Sequence, residues 1–206
     1  MLKLWGRLSS INVQKAVWCL DELGLAYERV DAGGAFGITT TPEYRRMNPN
    51  GLVPTLEDDD FVLWESNAIV RYLAAKHPEG GLLPADLRVR ADADRWMEWQ
   101  ATTGTPAMRD VFWHLIRTSP ELRDAALIRQ SVEASAAVAR ILDARLADRP
   151  YVAGDAFSVA DISVGAHGHR WLNLPIERPA LPHLQAWYER LRSRPGAQQV
   201  LTLPVT

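Results

Sequence analysis

Residues 48–74, NPNGLVPTLEDDDFVLWESNAIVRYLA, constrain the fold more than any other part of this chain. Two short segments, 53–57 and 61–64, flank three aspartates, which is the pattern of a β-hairpin with a solvated turn. A Glu65-Ser66 pair follows, and apolar residues then recur at helical spacing. The segment therefore predicts a proline at the mouth of a hairpin whose second strand leads directly into a helix.

The start of that helix has the chemistry of an anion site. A helix N-terminus leaves backbone N–H groups unpaired and has a partial positive charge, so it attracts a carboxylate. We expect Ser66 to cap the helix, which leaves the carboxylate of Glu65 available to an ammonium group. A ligand with a free α-carboxylate and a free α-ammonium would satisfy both groups.

Length and composition exclude several classes of protein. A chain of 206 residues suffices for two modest domains, and its 47% hydrophobic and 23% charged residues are ordinary for a soluble globular protein. The net charge of −2 without a basic run argues against a nucleic acid partner. No signal peptide or membrane-spanning run is visible, and the single Cys19 excludes an intramolecular disulfide. We expect a cytoplasmic protein with no membrane partner.

The pattern of elements changes along the chain. Strand and helix signals alternate over the first ~80 residues in the order βαβ, then αββα, which fits a small mixed sheet with helices on its faces. The turn-rich segment 77–86 is the expected domain boundary. Beyond it, helical patterns cover 87–117, 121–148, 158–173 and 180–193, and Pro106 is expected to kink or break the first of them. The sequence thus predicts an α/β domain followed by an all-α domain.

Five segments together resemble the glutathione S-transferase family over nearly the whole chain. They are SSINVQKAVWCLDELGLAYE (9–28), NPNGLVPTL (48–56), ESNAIVRYLA (65–74), the helix around DRWMEW (94–99) and YVAGDAFSVADI (151–162). The segment SINVQK is most similar to the bacterial, phi-like and theta-like branches of the family, which use serine rather than tyrosine. The resemblance implies a thioredoxin-like glutathione-binding domain over 1–79, a linker over 80–86, and a helical-bundle domain over 87–206 that contributes the electrophile pocket. It also implies a homodimer, with glutathione as co-substrate and no prosthetic group.

The resemblance assigns glutathione contacts to the hairpin and the helix after it. Pro54 matches a cis-proline, which turns the Val53 backbone toward the cysteinyl part of glutathione like an added strand. Glu65 and Ser66 match the residues that bind the γ-glutamyl ammonium and carboxylate, and Asn67 adds a hydrogen bond. Leu52 departs from the family pattern, because many relatives place Lys or Gln there. The glycyl carboxylate is then left to Arg45, Arg46, Lys15 or water.

Ser10 is the candidate catalytic residue, with Asn12 as a rival or auxiliary donor. In the resembling enzymes this serine donates a hydrogen bond to the glutathione sulfur and favours the thiolate. Lowering a thiol pKa of ~8.5 by about two units needs roughly 2.7 kcal/mol. A charge-assisted hydrogen bond together with a helix dipole supplies a free energy of that size.

The helical domain carries weaker candidates. Trp99 and Trp113 match a helix that borders the second-substrate pocket in the family, although aromatic residues there are also expected in a core. Asp94 matches a position that reaches across the dimer interface toward the partner's glutathione ammonium, and a solvated salt bridge is the alternative. Ser158 and Asp161 form a Ser-x-x-Asp capping box.

The expected reaction is attack of the glutathione thiolate on a hydrophobic electrophile. A glutathione-dependent peroxidase, dehalogenase or isomerase remains an alternative, as does a non-catalytic ligand carrier with the same fold. Ser-Ser-Ile in place of Ser-Ser-Cys argues against the isomerase branch. The spacing of His167 and His169 on one helix argues against a metal site.

Overall fold

The computed structural model describes every residue from Met1 to Thr206, and these residues form two units. The first unit consists of Met1–Leu83 and Pro195–Val200, and the second of Pro84–Arg194 and Leu201–Thr206. None of the helices combines the length and the apolar character needed to cross a membrane. The functional roles predicted for residues 1–79 and 87–206 stay predictions.

The first unit is a four-stranded mixed sheet with helices. Its elements are β1 (Leu2–Trp5), α1 (Ile11–Glu22), β2 (Tyr27–Val30), α2 (Pro42–Met47), β3 (Thr55–Asp58), β4 (Phe61–Trp64) and α3 (Ser66–Lys76). The strand order is β2-β1-β3-β4, with β1 parallel to β2, antiparallel to β3, and β3 antiparallel to β4. Helices α1 and α3 pack together through fully buried apolar side chains such as Val17 and Ile69. The predicted mixed α/β fold is confirmed.

The hairpin differs from its prediction at one aspartate. Asp58 is paired with Phe61 in the β3–β4 ladder, so only Asp59 and Asp60 form the turn. The Asp58 side chain is buried, accepts a hydrogen bond of 2.6 Å from the hydroxyl of Tyr72, and forms an ion pair with Lys76. The prediction of three solvated aspartates is therefore wrong for Asp58, because α3 supplies polar partners at that end of the hairpin.

The second unit is helical. Its main helices are α4 (Leu87–Trp99), α5 (Thr105–Phe112), α6 (Ala125–Arg145), α7 (Val159–Asn173) and α8 (Pro182–Arg192), and a short α9 (Gln198–Leu201) follows in the chain. Helix α4 packs against α7, and α5 packs against α6. The predicted all-α region is confirmed, although α6 begins later than expected. Its start is fixed by Asp124, whose carboxylate accepts the backbone N–H groups of Ala126 and Leu127.

At Pro106, where a kink or a break was expected, the helix does not end, but its regular α-helical pattern is interrupted just before the proline. A π-helical segment, Gln100–Gly104, joins α4 to α5, and the backbone of Gly104 and Thr105 stays in the right-handed helical region. Pro106 is the second residue of α5 and directly follows the π-helical segment. The wider π-helical turn therefore accommodates the proline without ending the helix.

Candidate functional site

The first unit brings the N-termini of α1 and α3 together. The hydroxyl of Ser66 donates to Oδ1 of Asn12 over 3.3 Å, and Nζ of Lys15 donates to Oδ1 of Asn67 over 3.2 Å. Neither helix has an acidic residue in its first turn. Two helix N-termini that meet without an acidic residue in either first turn create a local preference for an anion.

The start of α3 corrects one expectation about Ser66. Glu65, not Ser66, is the N-cap, and Ser66 is the first helical residue. Glu65 has a φ of 73° and its side chain makes no capping hydrogen bond. This backbone turn leaves the carboxylate of Glu65 exposed, while the Ser66 side chain is buried against α1 and bonds to Asn12. The Glu65 carboxylate is therefore available to bind an ammonium group, as the sequence predicted. Ser66 does not cap the helix; it is the first helical residue, at the N-terminus of α3.

Ser10 and Asn12 lie at the start of α1. Ser10 is the N-cap, with extended backbone angles of −88° and 122°, and its hydroxyl makes no capping hydrogen bond. Asn12 is exposed, and its carboxamide oxygen accepts the Ser66 hydroxyl. That bond orients the Asn12 carboxamide so that its NH₂ group is left to donate. Both side chains therefore have a donor available for a ligand.

The loop before β3 presents a free backbone edge. The Val53-Pro54 peptide bond is cis, and the backbone N–H and C=O of Val53 make no hydrogen bond to the rest of the chain. Leu52 is 65% exposed, so its side chain offers apolar surface beside Val53. The Val53 edge is thus open to an extended peptide-like ligand.

Two buried polar residues that the sequence analysis missed hold this loop in place. The Tyr44 hydroxyl donates to the carbonyl of Leu52 over 2.8 Å and lies 2.8 Å from the Thr55 hydroxyl. The Asn48 side chain donates to the same carbonyl over 2.9 Å. Burial raises the pKa of Tyr44 above its usual range, so its phenol keeps the proton. The sequence signal that could have indicated this support is a tyrosine in a short helix directly before an Asn-Pro-Asn-Gly run.

The basic candidates for a second carboxylate occupy different environments. Lys15 is only 2% exposed and bonds to Asn67, so it lies at the start of α3. Arg46 pairs with Glu43 on the exposed face of α2. Arg45 reaches the loop itself, because its guanidinium lies 3.7 Å from the Cβ position of Gly51. Of the three, Arg45 is therefore the one that contacts the loop leading to Val53.

The remaining predicted residues belong to the second unit. Trp99 is partly buried on α4 and packs edge-to-face with the buried Trp96, with ring centroids 4.8 Å apart. Trp113 is 59% exposed, and Asp94 is partly buried on α4. Asp94, Trp99 and Trp113 belong to the second unit, whereas Ser10 belongs to the first, and the roles predicted for these three residues stay predictions.

Three other polar features have structural partners. The capping box of Ser158 and Asp161 is present at the start of α7, as predicted. Cys19 is buried in α1, where desolvation raises the pKa of its thiol. His169 bonds to the hydroxyl of Tyr188 and the carbonyl of Leu203. No group of three or more His, Cys, Asp or Glu side chains is arranged to hold a metal ion.

Comparison with known families gives two matches. The model for the glutathione S-transferase N-terminal domain matches residues 1–75. The model for the glutathione S-transferase C-terminal domain matches residues 125–190. The two models thus match the α/β part and the helical part in the order in which they occur here.

Individual proteins are similar over the full length. The glutathione S-transferase GstB of Escherichia coli K12 is 43% identical, with 100% of both chains covered. A probable glutathione S-transferase of Oryza sativa, GSTF2, is 35% identical over 98% of this chain and 96% of its own. The crystal structure of the theta class glutathione S-transferase from Xanthomonas axonopodis pv. citri with glutathione bound superposes with a TM-score of 0.95 at 49% identity. That superposition covers 100% of this chain and 99% of the other.

Proposed function

Because the chain belongs to the glutathione S-transferase family, we propose that it binds glutathione on its first unit and transfers the glutathionyl group, through its sulfur, to an electrophilic carbon. In this reaction a carbon–sulfur bond forms, the bond to the leaving group breaks, and the thiol proton passes to solvent. Glutathione acts as the co-substrate. The observation that carries the proposal is the junction of Asn12 and Ser66, where two helix N-termini meet with donors left free.

The proposed binding mode follows the free groups of the first unit. The Val53 backbone pairs with the cysteinyl backbone of the tripeptide, beside the exposed side chain of Leu52. The start of α3 at Ser66 and Asn67 receives the γ-glutamyl carboxylate, and the exposed carboxylate of Glu65 receives the ammonium. The Arg45 guanidinium beside Gly51 receives the glycyl carboxylate.

The thiolate is held by Ser10 and Asn12. A hydroxyl and a carboxamide NH₂ group at the start of α1 donate to the sulfur, and the helix N-terminus adds its partial positive charge. Each charge-assisted hydrogen bond contributes about 1.5–3 kcal/mol in favour of the anion. This is enough to lower the pKa of the thiol by about one to two units. The bound thiol is then largely ionised at neutral pH, which is the state that attacks an electrophile.

A titration of bound glutathione tests these roles. The ultraviolet absorbance of the thiolate is followed against pH for the wild type, Ser10→Ala and Asn12→Ala, with the exposed Ser119→Ala as the matched control. We expect Ser10→Ala to raise the thiol pKa by at least about one unit, and Asn12→Ala by less. An unchanged titration in Ser10→Ala with a shift in Asn12→Ala would transfer the main role to Asn12. Absence of any bound glutathione at millimolar concentration would contradict the proposed function.

The electrophile and the assembly state are part of the same proposal. We assign the second substrate to the helical unit, with Trp99 and the exposed Trp113 as contacts, and detoxification of a hydrophobic electrophile as the role. We also propose a cytoplasmic homodimer in which Asp94 faces the partner subunit. Analytical ultracentrifugation tests the assembly, since a monomer at micromolar concentration would contradict it, and Asp94→Asn is expected to weaken glutathione binding in the dimer.

A further inference from the structure

The carbonyl of Leu52 is the end point of a chain of buried hydrogen bonds in the first unit. The Asn48 carboxamide donates to the Thr55 hydroxyl over 3.2 Å, and the hydroxyl oxygens of Thr55 and Tyr44 lie 2.8 Å apart. The Tyr44 oxygen also lies 2.8 Å from the Leu52 carbonyl oxygen. Because a carbonyl can only accept, the Tyr44 proton goes to Leu52, and the Thr55 hydroxyl donates to Tyr44. Every donor of the chain therefore points toward the Leu52 carbonyl.

The aromatic ring of Tyr44 is held independently of its hydroxyl. Tyr44 is buried, and its ring packs edge-to-face against Trp5 on β1, with ring centroids 6.1 Å apart. A phenylalanine at this position would keep the ring contact and lose only the hydrogen bonds to Leu52 and Thr55. The hydroxyl can therefore be removed without removing the packing that surrounds it.

The hydrogen bonds to the Leu52 carbonyl decide where the N–H of Val53 points. The two groups belong to one peptide unit, which is trans, because the only cis peptide bond is Val53-Pro54. In a planar trans peptide the C=O and the N–H point in opposite directions. Tyr44 and Asn48 hold the carbonyl on their buried side, so the Val53 N–H points away from them. That N–H makes no hydrogen bond within the chain and is available to a ligand.

We propose that Tyr44 is a positioning residue for the tripeptide thiol, because its hydroxyl orients the Leu52-Val53 peptide unit and strengthens the Val53 N–H as a donor to the cysteinyl carbonyl. This inference rests on the proposed function. Hydrogen bonds in a chain polarise one another, so a peptide whose carbonyl accepts two of them has a stronger N–H donor. The Tyr44 hydroxyl acts on the backbone pairing and not on the sulfur. It therefore sets the affinity for glutathione and leaves the ionisation of the thiol to Ser10 and Asn12.

The variant Tyr44→Phe separates affinity from ionisation. We expect the dissociation constant for glutathione, measured by calorimetric titration, to rise about 3- to 10-fold, the value of one neutral hydrogen bond. The pKa of the bound thiol, followed by thiolate absorbance, should stay at the wild-type value. Tyr72→Phe is the matched control, because it removes a hydroxyl that bonds to Asp58 over 2.6 Å elsewhere in the same unit. A general loss of stability would act in both variants, whereas the positioning role predicts weaker binding in Tyr44→Phe alone.

The amide proton of Val53 gives a direct readout of its hydrogen bond. In protein labelled with nitrogen-15, we expect glutathione to move this resonance downfield in the wild type and by less in Tyr44→Phe. Thr55→Val removes the hydroxyl that donates to Tyr44 and supplies a second variant should Tyr44→Phe fail to fold. It is expected to raise the dissociation constant about two- to threefold, and to add nothing in the Tyr44→Phe background, because the two hydroxyls act in one chain.

Failure of this inference can be told apart from failure of the proposed function. Wild-type affinity in Tyr44→Phe, an equal loss in Tyr72→Phe, or a changed thiol pKa in Tyr44→Phe would overturn the positioning role while glutathione binding stands. A Val53 amide resonance that glutathione leaves unmoved in the wild type would overturn it as well. If the wild type bound no glutathione at millimolar concentration, the proposed function would fall, and the role of Tyr44 with it.

Discussion

At the scale of single residues, Glu65 stands out because its backbone has a positive φ, which residues other than glycine rarely adopt. A residue other than glycine with a φ of 73° costs about 1 kcal/mol, and the Glu65 side chain makes no capping bond that would offset this cost. Its carboxylate is exposed at the start of α3. A strained residue with a free carboxylate at a helix N-terminus is expected where a ligand, rather than the fold, uses the side chain.

Two substitutions at Glu65 separate binding from strain. We expect Glu65→Gln to raise the dissociation constant for glutathione by about 10- to 100-fold, because the ammonium loses its charged partner. Glu65→Gly should weaken binding to the same extent and increase the free energy of unfolding by about 0.5–1 kcal/mol, since glycine adopts this φ without strain. Calorimetric titration and urea unfolding measure the two quantities. Unchanged glutathione binding in both variants would remove Glu65 from the site.

At the scale of elements, the start of α7 is fixed by one fully buried carboxylate. Oδ1 of Asp161 accepts the backbone N–H of Val152 and the indole N–H of Trp187, each over 2.9 Å. Oδ2 of Asp161 accepts the backbone N–H and the hydroxyl of Ser158, over 3.0 and 3.2 Å. Asp161 therefore joins α7, α8 and the segment before α7, whereas the cap Asp124 serves only its own exposed helix start.

The comparison of these two caps gives a prediction. We expect Asp161→Ala to lower the free energy of unfolding by about 3–5 kcal/mol, because several buried donors lose their acceptor at once. Asp124→Ala should cost about 1 kcal/mol, the usual value for an exposed N-cap. Urea unfolding of both variants measures the difference. Similar losses in the two variants would show that Asp161 is an ordinary cap.

The interactions of Asp58 on β3 with Tyr72 and Lys76 on α3 predict that the free energy of unfolding depends on pH. The hydrogen bond from Lys76, and then that from Tyr72, lower the pKa of Asp58 below its usual range. Because the folded pKa lies below the unfolded value of about 3.9, this contribution to stability is present above pH 4 and is lost as the pH falls through the folded pKa. We expect Asp58→Asn to cost about 1–2 kcal/mol at pH 7 and to lose less stability than the wild type on acidification.

Urea unfolding between pH 7 and pH 2.5 measures this effect, and Asp60→Asn, in the adjacent exposed turn, is the matched control. The control should follow the wild-type pH profile. A parallel profile for Asp58→Asn would mean that the Asp58 interactions with Lys76 and Tyr72 contribute little in solution.

Local patterns predicted the elements better than they predicted the contacts between them. The hairpin, the helix after it and the Ser158 capping box depend on neighbouring residues, so spacing and turn chemistry were sufficient. The burial of Asp58 and the support of Leu52 by Tyr44 depend on partners from other elements, which periodicity does not encode. At Ser66 the sequence indicated the helix start, but the choice of Glu65 as N-cap depends on a backbone angle that a glutamate rarely adopts.

At the scale of the whole molecule, the chain returns to its first unit near its end. Pro195–Val200 belongs to the same unit as the sheet, and Ala197 and Val200 are fully buried there. This segment packs against α1, so that a Cβ added to Gly196 would lie 2.8 Å from the backbone nitrogen of Glu22. The helix that presents Ser10 and Asn12 is therefore supported by residues almost two hundred positions later in the sequence. Pro195-Gly196 marks the end of the helix before it, but no local signal assigns the residues that follow to the first unit.

We expect Gly196→Ala to lower the free energy of unfolding by about 1–3 kcal/mol, because the backbone of α1 cannot move away from the new methyl group as a flexible side chain could. The effect should be concentrated in the first unit, where hydrogen exchange of the α1 amides is expected to become about 5- to 100-fold faster. Gln199→Ala, at an exposed position of the same segment, is the control and should leave exchange in α1 near the wild-type rate. If the α1 amides exchanged at the same rate in both variants, Pro195–Val200 would contact α1 without stabilising it. Helix α1 is the helix that begins at the candidate thiolate donors Ser10 and Asn12.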